Sequence, residues 1–324
     1  MGGGGDPPTP PPDMVYVATD GNDENNGTIA SPFATLTKAA KTIVGGGAIY
    51  LRGGVYDQVL PEDIPNGALV EAPTLVSGYA GEQAILMPLS GVQVARFGNT
   101  KTKIKLADIV LDGTNVSGDG CKINDAQYIT LSNVEIRSAP NQGALITGVE
   151  LLLENCEIHH NGTNGLDHGI YMQSGTITIR GCNCHHNTGH GIHAYNGVDA
   201  SVFLIEQNTV SNNDYGIGVY YGQATVRQNT CDGNSYNIAA RYNIFSAVIE
   251  GNVVQNATVA GLVLQSLLND NALVTIRNNT LTNNPIDLRI RGADNNPTAM
   301  AHISDIAVEH VTVDPGANLI YEIV

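Results

Sequence analysis

Six short stretches decide the fold: GIYMQ from Gly169, GIHAY from Gly191, GIGVY from Gly216, NIAAR from Asn237, GLVLQ from Gly261 and DLRIR from Asp287. They recur every 21 to 26 residues, which is one coil of a solenoid. A unit that short buries no core of its own and must stack on its neighbours. The chain from Glu154 to Arg291 therefore predicts an elongated parallel β-helix with its function on a stacked outer face.

The positions around these stretches keep the same register. Apolar strands such as LLLEN, TITIR, FLIEQ, ATVRQ, AVIEG and VTIRN lead into corners that begin at Cys156, Cys182, Asn208, Asn229, Asn252 and Asn279. Two residues before each corner stand Glu154, Arg180, Glu206, Arg227, Glu250 and Arg277, alternating in sign. With rungs about 4.8 Å apart, each charge lies between two opposite ones, which favours one stacking register over a slipped one. Five residues past the corner come Asn161, Asn187, Asn213, Asn234 and Asn284, with Ala257 the exception. Stacked Asn amides hydrogen-bond along the solenoid and tolerate tight corners. Between them Ile158, Cys184, Val210, Cys231, Val254 and Leu281 read as an inward stack.

The 324 residues suffice for one extended domain, and 37 glycines with abundant Asn suit frequent corners rather than helices. No long apolar run is present, so no transmembrane segment is expected. A net charge of −16 argues against general nucleic-acid binding. It also means that an acidic ligand must be met by a locally cationic or neutral cleft. Residues 1–13, MGGGGDPPTPPPD, read as a Gly/Pro linker ahead of a domain spanning 14–324, as at the mature end of a secreted, periplasmic or cell-surface lipoprotein chain.

Of the five cysteines, Cys121, Cys156, Cys182, Cys184 and Cys231, most fall at repeat positions, and buried thiols are the default. Cys156 and Cys182 sit at equivalent places on adjacent rungs, within reach of a disulfide. The Cys184-His185-His186 run lacks the spacing of a structural zinc site, and no metal ligand is assigned. No cofactor is expected; Asp20, Asp23 and Glu24 offer oxygens for calcium but lack EF-hand spacing and read as a solvated turn.

Ahead of the repeats, YVATDGNDENNGTIASPFATLTKAAKTI and AIYLRGGVY read as a strand, a polar loop, an amphipathic helix and another strand, a cap over residues 14–60. Ser31 is the expected N-cap with Pro32 at N1, and Phe33, Leu36, Ala39, Ala40 and Ile43 the apolar face. Such a helix covers the open end of the solenoid. Residues 293–324, with IAVEHVTV and NLIYEIV, are expected to close the other end.

This cap together with the NxxxxN-GI repeats resembles the right-handed parallel β-helix proteins of the pectate-lyase-like superfamily, over nearly the whole chain after residue 14. The resemblance implies an all-β, single-stranded right-handed parallel β-helix with an N-terminal helix cap. The superfamily includes polysaccharide lyases, alginate C5-epimerases and glycoside hydrolases, so activity must be read from the outer face.

On the GI strand Ile170, Met172, Ile192, Ala194, Ile217 and Val219 point inward, which turns Tyr171, Gln173, His193, Tyr195, Tyr220 and Arg241 outward. Just before it His168, His190, Tyr215 and Tyr236 form one column, beside Asp167 and Asp214. These types suit β-elimination on a uronate polymer, alginate- or pectin-like. That reaction removes the C5 proton, neutralises the adjacent carboxylate and protonates the oxygen leaving C4. The expected roles are His193 or His168 as base, Tyr195 or Tyr171 as acid, and Arg241 as neutraliser helped by Gln173. His190, Tyr215, Tyr220 and Asp214 are expected to bind substrate. Around Asp167 and His168, NGLDHG also resembles the Tyr-Gly-Phe-Asp-Pro-His motif of alginate epimerases, with Asn164 at the tyrosine position and no proline; by that resemblance Asp167 is catalytic. Calcium-dependent pectate lyases carry an acidic cluster near a catalytic Lys or Arg, which these rungs lack.

Other readings stay open at this point: a mannuronan-type C5-epimerase, an inverting hydrolase using Asp167 and Asp214, and a non-catalytic carbohydrate-binding or adhesive solenoid. Tyr215, Tyr220, Tyr221, Tyr236 and Tyr242 also read as an aromatic stack that binds sugar rings or stiffens the sheet. The pairs His159/His185 and His160/His186 read as lining the rim of the cleft, binding adventitious metal or, most simply, replacing small polar residues of later coils, and His302 and His310 as solvated or structural. The expected partner is an acidic polysaccharide, with the chain a monomer.

Overall fold

A computed structural model gives the fold. It describes residues 13–195, 200–265 and 273–291, and the backbone of the strands Ile306–Glu309, Thr312–Val313 and Leu319–Glu322. The Gly/Pro segment 1–12, His302 and His310 lie outside the described residues.

All inter-strand pairings of the two large sheets are parallel, and each strand pairs with its counterpart one coil on. Among the described residues one sheet has 11 strands, from Gly54–Tyr56 to Thr312–Val313, and the other has 17. The side chains that point between the sheets form one continuous core, in which Ile158, Cys184, Val210, Cys231, Val254 and Leu281 are all buried and stacked in register. The architecture is a parallel β-helix, as expected from the repeat. The C-terminal strands extend the same register, Leu288 pairing with Leu319 and Val274 with Ile306, so they add parallel rungs.

Two buried amide ladders run along the corners. Asn161, Asn187, Asn213 and Asn234 form one, each Nδ2 donating to the Oδ1 of the next at 3.0, 3.1 and 3.0 Å. Asn208, Asn229, Asn252 and Asn279 form the other at 2.9, 3.0 and 2.8 Å. The same Nδ2 groups also donate to a carbonyl of the previous coil, so little amide capacity is left unmet in the interior. Ala257 interrupts the first ladder, and Asn237 repairs it: its Oδ1 accepts from Asn234 Nδ2 at 2.8 Å. This explains why NIAAR begins with Asn where its neighbours have Gly. At Gly191, Gly216 and Gly261 a Cβ would stand 2.8 to 2.9 Å from the ladder amide of the next coil, and where that coil has Ala257 the conflict disappears.

The charge ladder forms in part. Glu206 bridges Arg180 and Arg227, both at 2.6 Å, and Arg277 pairs with Glu250 at 2.7 Å, whereas Glu154 meets Lys105 at 3.6 Å. The cysteines are all free and buried. Cys156 and Cys182 are free thiols rather than a disulfide, and each also lies 3.5 Å from a carbonyl of the previous coil (Leu131 and Leu153), the direction taken by the Asn amides in the same column. Cys184 faces the core while His185 faces out, so the two cannot share a zinc ion.

The cap departs from expectation at one point. The helix is Leu36–Thr42, capped by Thr35 rather than Ser31. The chain is still extended at Phe33, which bridges to Val17, and Asp23 holds the turn by accepting from Ala34 N, Thr35 N and Thr35 Oγ1. That use of the carboxylate also accounts for Asp23 without calcium. The apolar face is as expected, with Phe33, Leu36, Ala39, Ala40 and Ile43 buried. Among the described residues no helix is long and apolar enough to cross a membrane.

Candidate active site

Register alone brings the outward residues together. Tyr171 pairs with His193 and then Gly218, and His190 with Tyr215 and then Tyr236. The result is a cleft of about 580 Å³ lined by Gly165, Leu166, His168, Tyr171, His190, His193, Tyr195, Tyr220, Tyr221 and Tyr242. Gly218 keeps it open. A Cβ there would lie 2.5 Å from His190 Cδ2 and 2.8 Å from Nε2, so only glycine lets His190 reach across to the Tyr220 hydroxyl at 2.9 Å.

The imidazoles are wired in a fixed order. The His190 backbone N–H donates to His168 Nδ1 at 3.1 Å, which places the proton of neutral His168 on Nε2. That N–H faces His193 Nδ1 at 2.9 Å, so neutral His193 carries its own proton on Nε2, a buried atom with no partner among the described residues. Burial pushes the His168 pKa down to about 4, against a small opposing pull from Asp167. Burial pushes His190 and His193 well below the usual range too, reinforced by the neighbouring imidazoles and by Arg241. All three are neutral at pH 7.

Arg241 is held in an aromatic box, its guanidinium 5.0, 5.5 and 5.7 Å from the rings of Tyr215, Tyr236 and Tyr220. It does not line the cleft, but its charge is close enough to act on His190 and His193. Burial raises the pKa of Tyr171 and, further, that of Tyr220, so both stay protonated.

Other expected site residues are placed differently. Asp167 is turned away from the cleft: its Oδ2 accepts from the backbone N–H groups of Thr163 and Asn164, both at 2.9 Å, and from Asn164 Nδ2 at 2.6 Å. It shapes the loop that presents His168. Asp214 is exposed and, like Gln173 and Tyr215, is absent from the lining; Tyr215 is stacked between His190 and Tyr236. Both nitrogens of His168 are engaged, which makes it a positioning group for His193. Conversely, Leu166, Tyr221 and Tyr242 line the cleft without having been singled out as site residues. Alternation would send Tyr220 and Tyr221 to opposite faces, but the register shifts between Val219 and Tyr221 and Tyr242 has a φ of 60°, so the strand twists both tyrosines and Tyr242 toward the opening.

Among the described residues the cleft lining contains no carboxylate. That donor set does not suit calcium, which takes six to eight oxygen ligands. Ligand atoms of His168, His190 and His193 lie within 4.8 Å of one another, a spacing compatible with a transition metal, but the adjacent Arg241 charge opposes a cation there.

Comparison with known proteins agrees with this fold. A family model described as "Pel9A-like, right handed beta helix region" matches residues 15–240. Pectate lyase PEL9 of Emericella nidulans is 35% identical over 72 residues, 22% of this chain and 18% of that protein. The uncharacterized protein YwoF of Bacillus subtilis is 29% identical over 96 residues, 30% of this chain and 19% of that protein. The matched segments thus span under a fifth of either relative. Among solved structures, pectate lyase Pel9A superposes with a TM-score of 0.57 at 17% identity, covering 93% of this chain and 78% of that one. The A-module of mannuronan C-5 epimerase AlgE6 from Azotobacter vinelandii gives 0.54 at 18% identity, covering 84% and 91%.

Proposed function

The chain belongs to the Pel9A-like right-handed β-helix family, and from that premise we propose that its His/Tyr cleft cleaves a uronate-containing polysaccharide, alginate- or pectin-like, by β-elimination outside the cytoplasm. The observation that carries this reading is the composition of the cleft among the described residues: three neutral histidines and five tyrosines, no carboxylate, and the Arg241 charge beside it. An inverting hydrolase needs two opposed carboxyl groups at the bond it cleaves. Here Asp167 is committed to its loop and Asp214 lies outside the lining.

In this reading the uronate carboxylate accepts a hydrogen bond from His193 Nε2–H, in the field of Arg241, which stabilises the charge that develops when the C5 proton leaves. The C5–H electron pair becomes the C4–C5 double bond, the C4–O bond breaks, and the departing oxygen takes a proton. Tyr195, 39% exposed at the mouth of the cleft, yields its phenolic proton to solvent and takes up the C5 proton, while Tyr171, kept protonated by burial, supplies the proton to the oxygen and recovers it from solvent. The histidines therefore hold the acid group, and proton transfer passes from the expected His bases to the tyrosines.

The test is a panel of uronate polymers assayed both for ultraviolet absorbance of the new double bond and for reducing ends. Absorbance rising with reducing ends on one polymer supports elimination and names its class. Reducing ends without absorbance would overturn the proposal in favour of hydrolysis. Neither signal, with solvent deuterium entering C5, would overturn it in favour of epimerisation.

A further inference from the structure

On the 11-stranded sheet, among residues that do not line the cleft, four histidines meet in an arrangement with its own chemistry. Adjacent residues of a strand normally point to opposite faces. At His160 and His186 the backbone is left-handed, with φ of 55° and 54°, and this turns each ring back beside that of the preceding residue. His159 Nδ1 and His160 Nδ1 come to 2.7 Å, and one coil on His185 Nδ1 and His186 Nδ1 come to 2.9 Å. The two pairs stack in register, His159 over His185 at 4.9 Å and His160 over His186 at 5.1 Å, with ring planes within a few degrees.

A carboxylate backs each pair. Glu135 Oε1 is 3.2 Å from His159 Nε2, and Glu157 Oε1 is 3.1 Å from His185 Nε2. An Nε2–H donated to a carboxylate leaves the lone pair on Nδ1, facing the second ring, as in metal-bound imidazoles steadied by an outer carboxylate. His160 and His186 are exposed, so each can move its Nδ1 proton to Nε2 through solvent and present a second lone pair. Two imidazole nitrogens 2.7 to 2.9 Å apart subtend roughly 80 to 90° at an ion about 2.0–2.1 Å from each, the cis edge of a tetragonal site. The neutral small residues Ser211 and Asn212, one coil further, offer nothing comparable.

We propose that the paired imidazoles of His159/His160 and His185/His186 form a surface site for a divalent transition-metal ion of tetragonal preference, Cu²⁺ above all, independent of the cleft. The two pairs are not equivalent. Glu135 is shared with Arg137 at 2.5 Å, whereas among the described residues Glu157 pairs with His185 alone, so the His185/His186 pair is the tighter ligand set. A rung spacing near 4.9 Å makes two dications repel, so one ion binds first and the second more weakly.

Cu²⁺ titrated into the full chain, followed by equilibrium dialysis and by electron paramagnetic resonance, tests this. Wild type should take up one ion with hyperfine structure from at least two nitrogens. His186→Asn, which places in this corner the residue already found at Asn212, should weaken uptake at least tenfold and His160→Asn less; the double variant should lose the nitrogen signal. Undiminished uptake by the double variant would overturn the assignment and leave an adventitious ion only. So would loss of the signal in His193→Gln, which would move the ion into the cleft. Circular dichroism of each variant separates lost ligands from lost fold.

Discussion

Replacing Gly218 with alanine is the sharpest probe of the cleft, because it adds one methyl group and removes nothing. The glycine has an ordinary strand backbone, so alanine fits the chain there, and the cost falls on the neighbours. The added Cβ would stand 2.5 Å from His190 Cδ2 and 2.8 Å from Nε2. Ordinary contact begins near 3.4 Å; the His190 ring must therefore retreat by about 0.9 Å, which stretches its 2.9 Å bond to Tyr220 beyond hydrogen-bonding range. His193 is stacked on His190 with ring centres 4.0 Å apart and has to move with it. A displacement of about 1 Å at a reacting centre costs on the order of 100-fold in rate, while overpacking costs about 1–3 kcal/mol in stability. Steady-state rates on whichever polymer the wild type degrades, with unfolding midpoints beside them, give the comparison. A Gly218→Ala protein that is folded and turns over within twofold of wild type would refute the claim that the His190–Tyr220 contact organises the site.

His193→Gln and Tyr195→Phe should each lower kcat at least 100-fold with little change in stability, measured by the same absorbance assay; a variant with wild-type rate removes that residue from the mechanism. Asn213→Ala leaves the buried N–H groups of Asn187 without their acceptor and should cost about 3 to 5 kcal/mol in urea unfolding. Glu206→Gln leaves two arginines facing no charge, but these are nearly half exposed, so the loss should be about 2 kcal/mol rather than the full cost of a buried pair. The arginine hydrogen bonds hold the Glu206 pKa below its ordinary value, so this contribution is present at neutral pH and fades as pH falls through the carboxylate range; wild type and variant should converge there. His168 behaves in the opposite chemical sense with the same direction of pH. Its pKa is near 4 when folded and about 6.5 when unfolded, so between these values the unfolded chain binds more protons. Stability should fall by about 3 kcal/mol from pH 6.5 to 4, and His168→Gln should flatten that slope.

The parts of this molecule legible in its sequence are those fixed by period. The solenoid register, the inward stack, both Asn columns and the outward face that bears the histidines follow from which residue recurs at which offset, since one coil lies directly on another. What period does not fix is the direction a side chain takes after leaving its column. His168 shares a column with His190, yet its ring turns to His193. Asp167 adjoins that column but serves its own loop, and Arg241 retreats among three aromatic rings. The Thr35 cap was hidden for a related reason: Ser31-Pro32 is a sound helix start locally, but the bridge from Phe33 to Val17 keeps the chain extended until Asp23 closes the turn.

The amide ladders also give the solenoid a direction. In each, one Nδ2–H of every Asn donates to the Oδ1 of the later coil, and the backbone N–H of the same residue joins in, as Asn187 N and Nδ2 both do toward Asn213 Oδ1. A partly built solenoid ending at any rung therefore presents two parallel donors at its C-terminal end, waiting for a single carbonyl oxygen. The next Asn supplies it, and in docking exposes the same pair of donors again. Each coil thus templates the position of the one that follows.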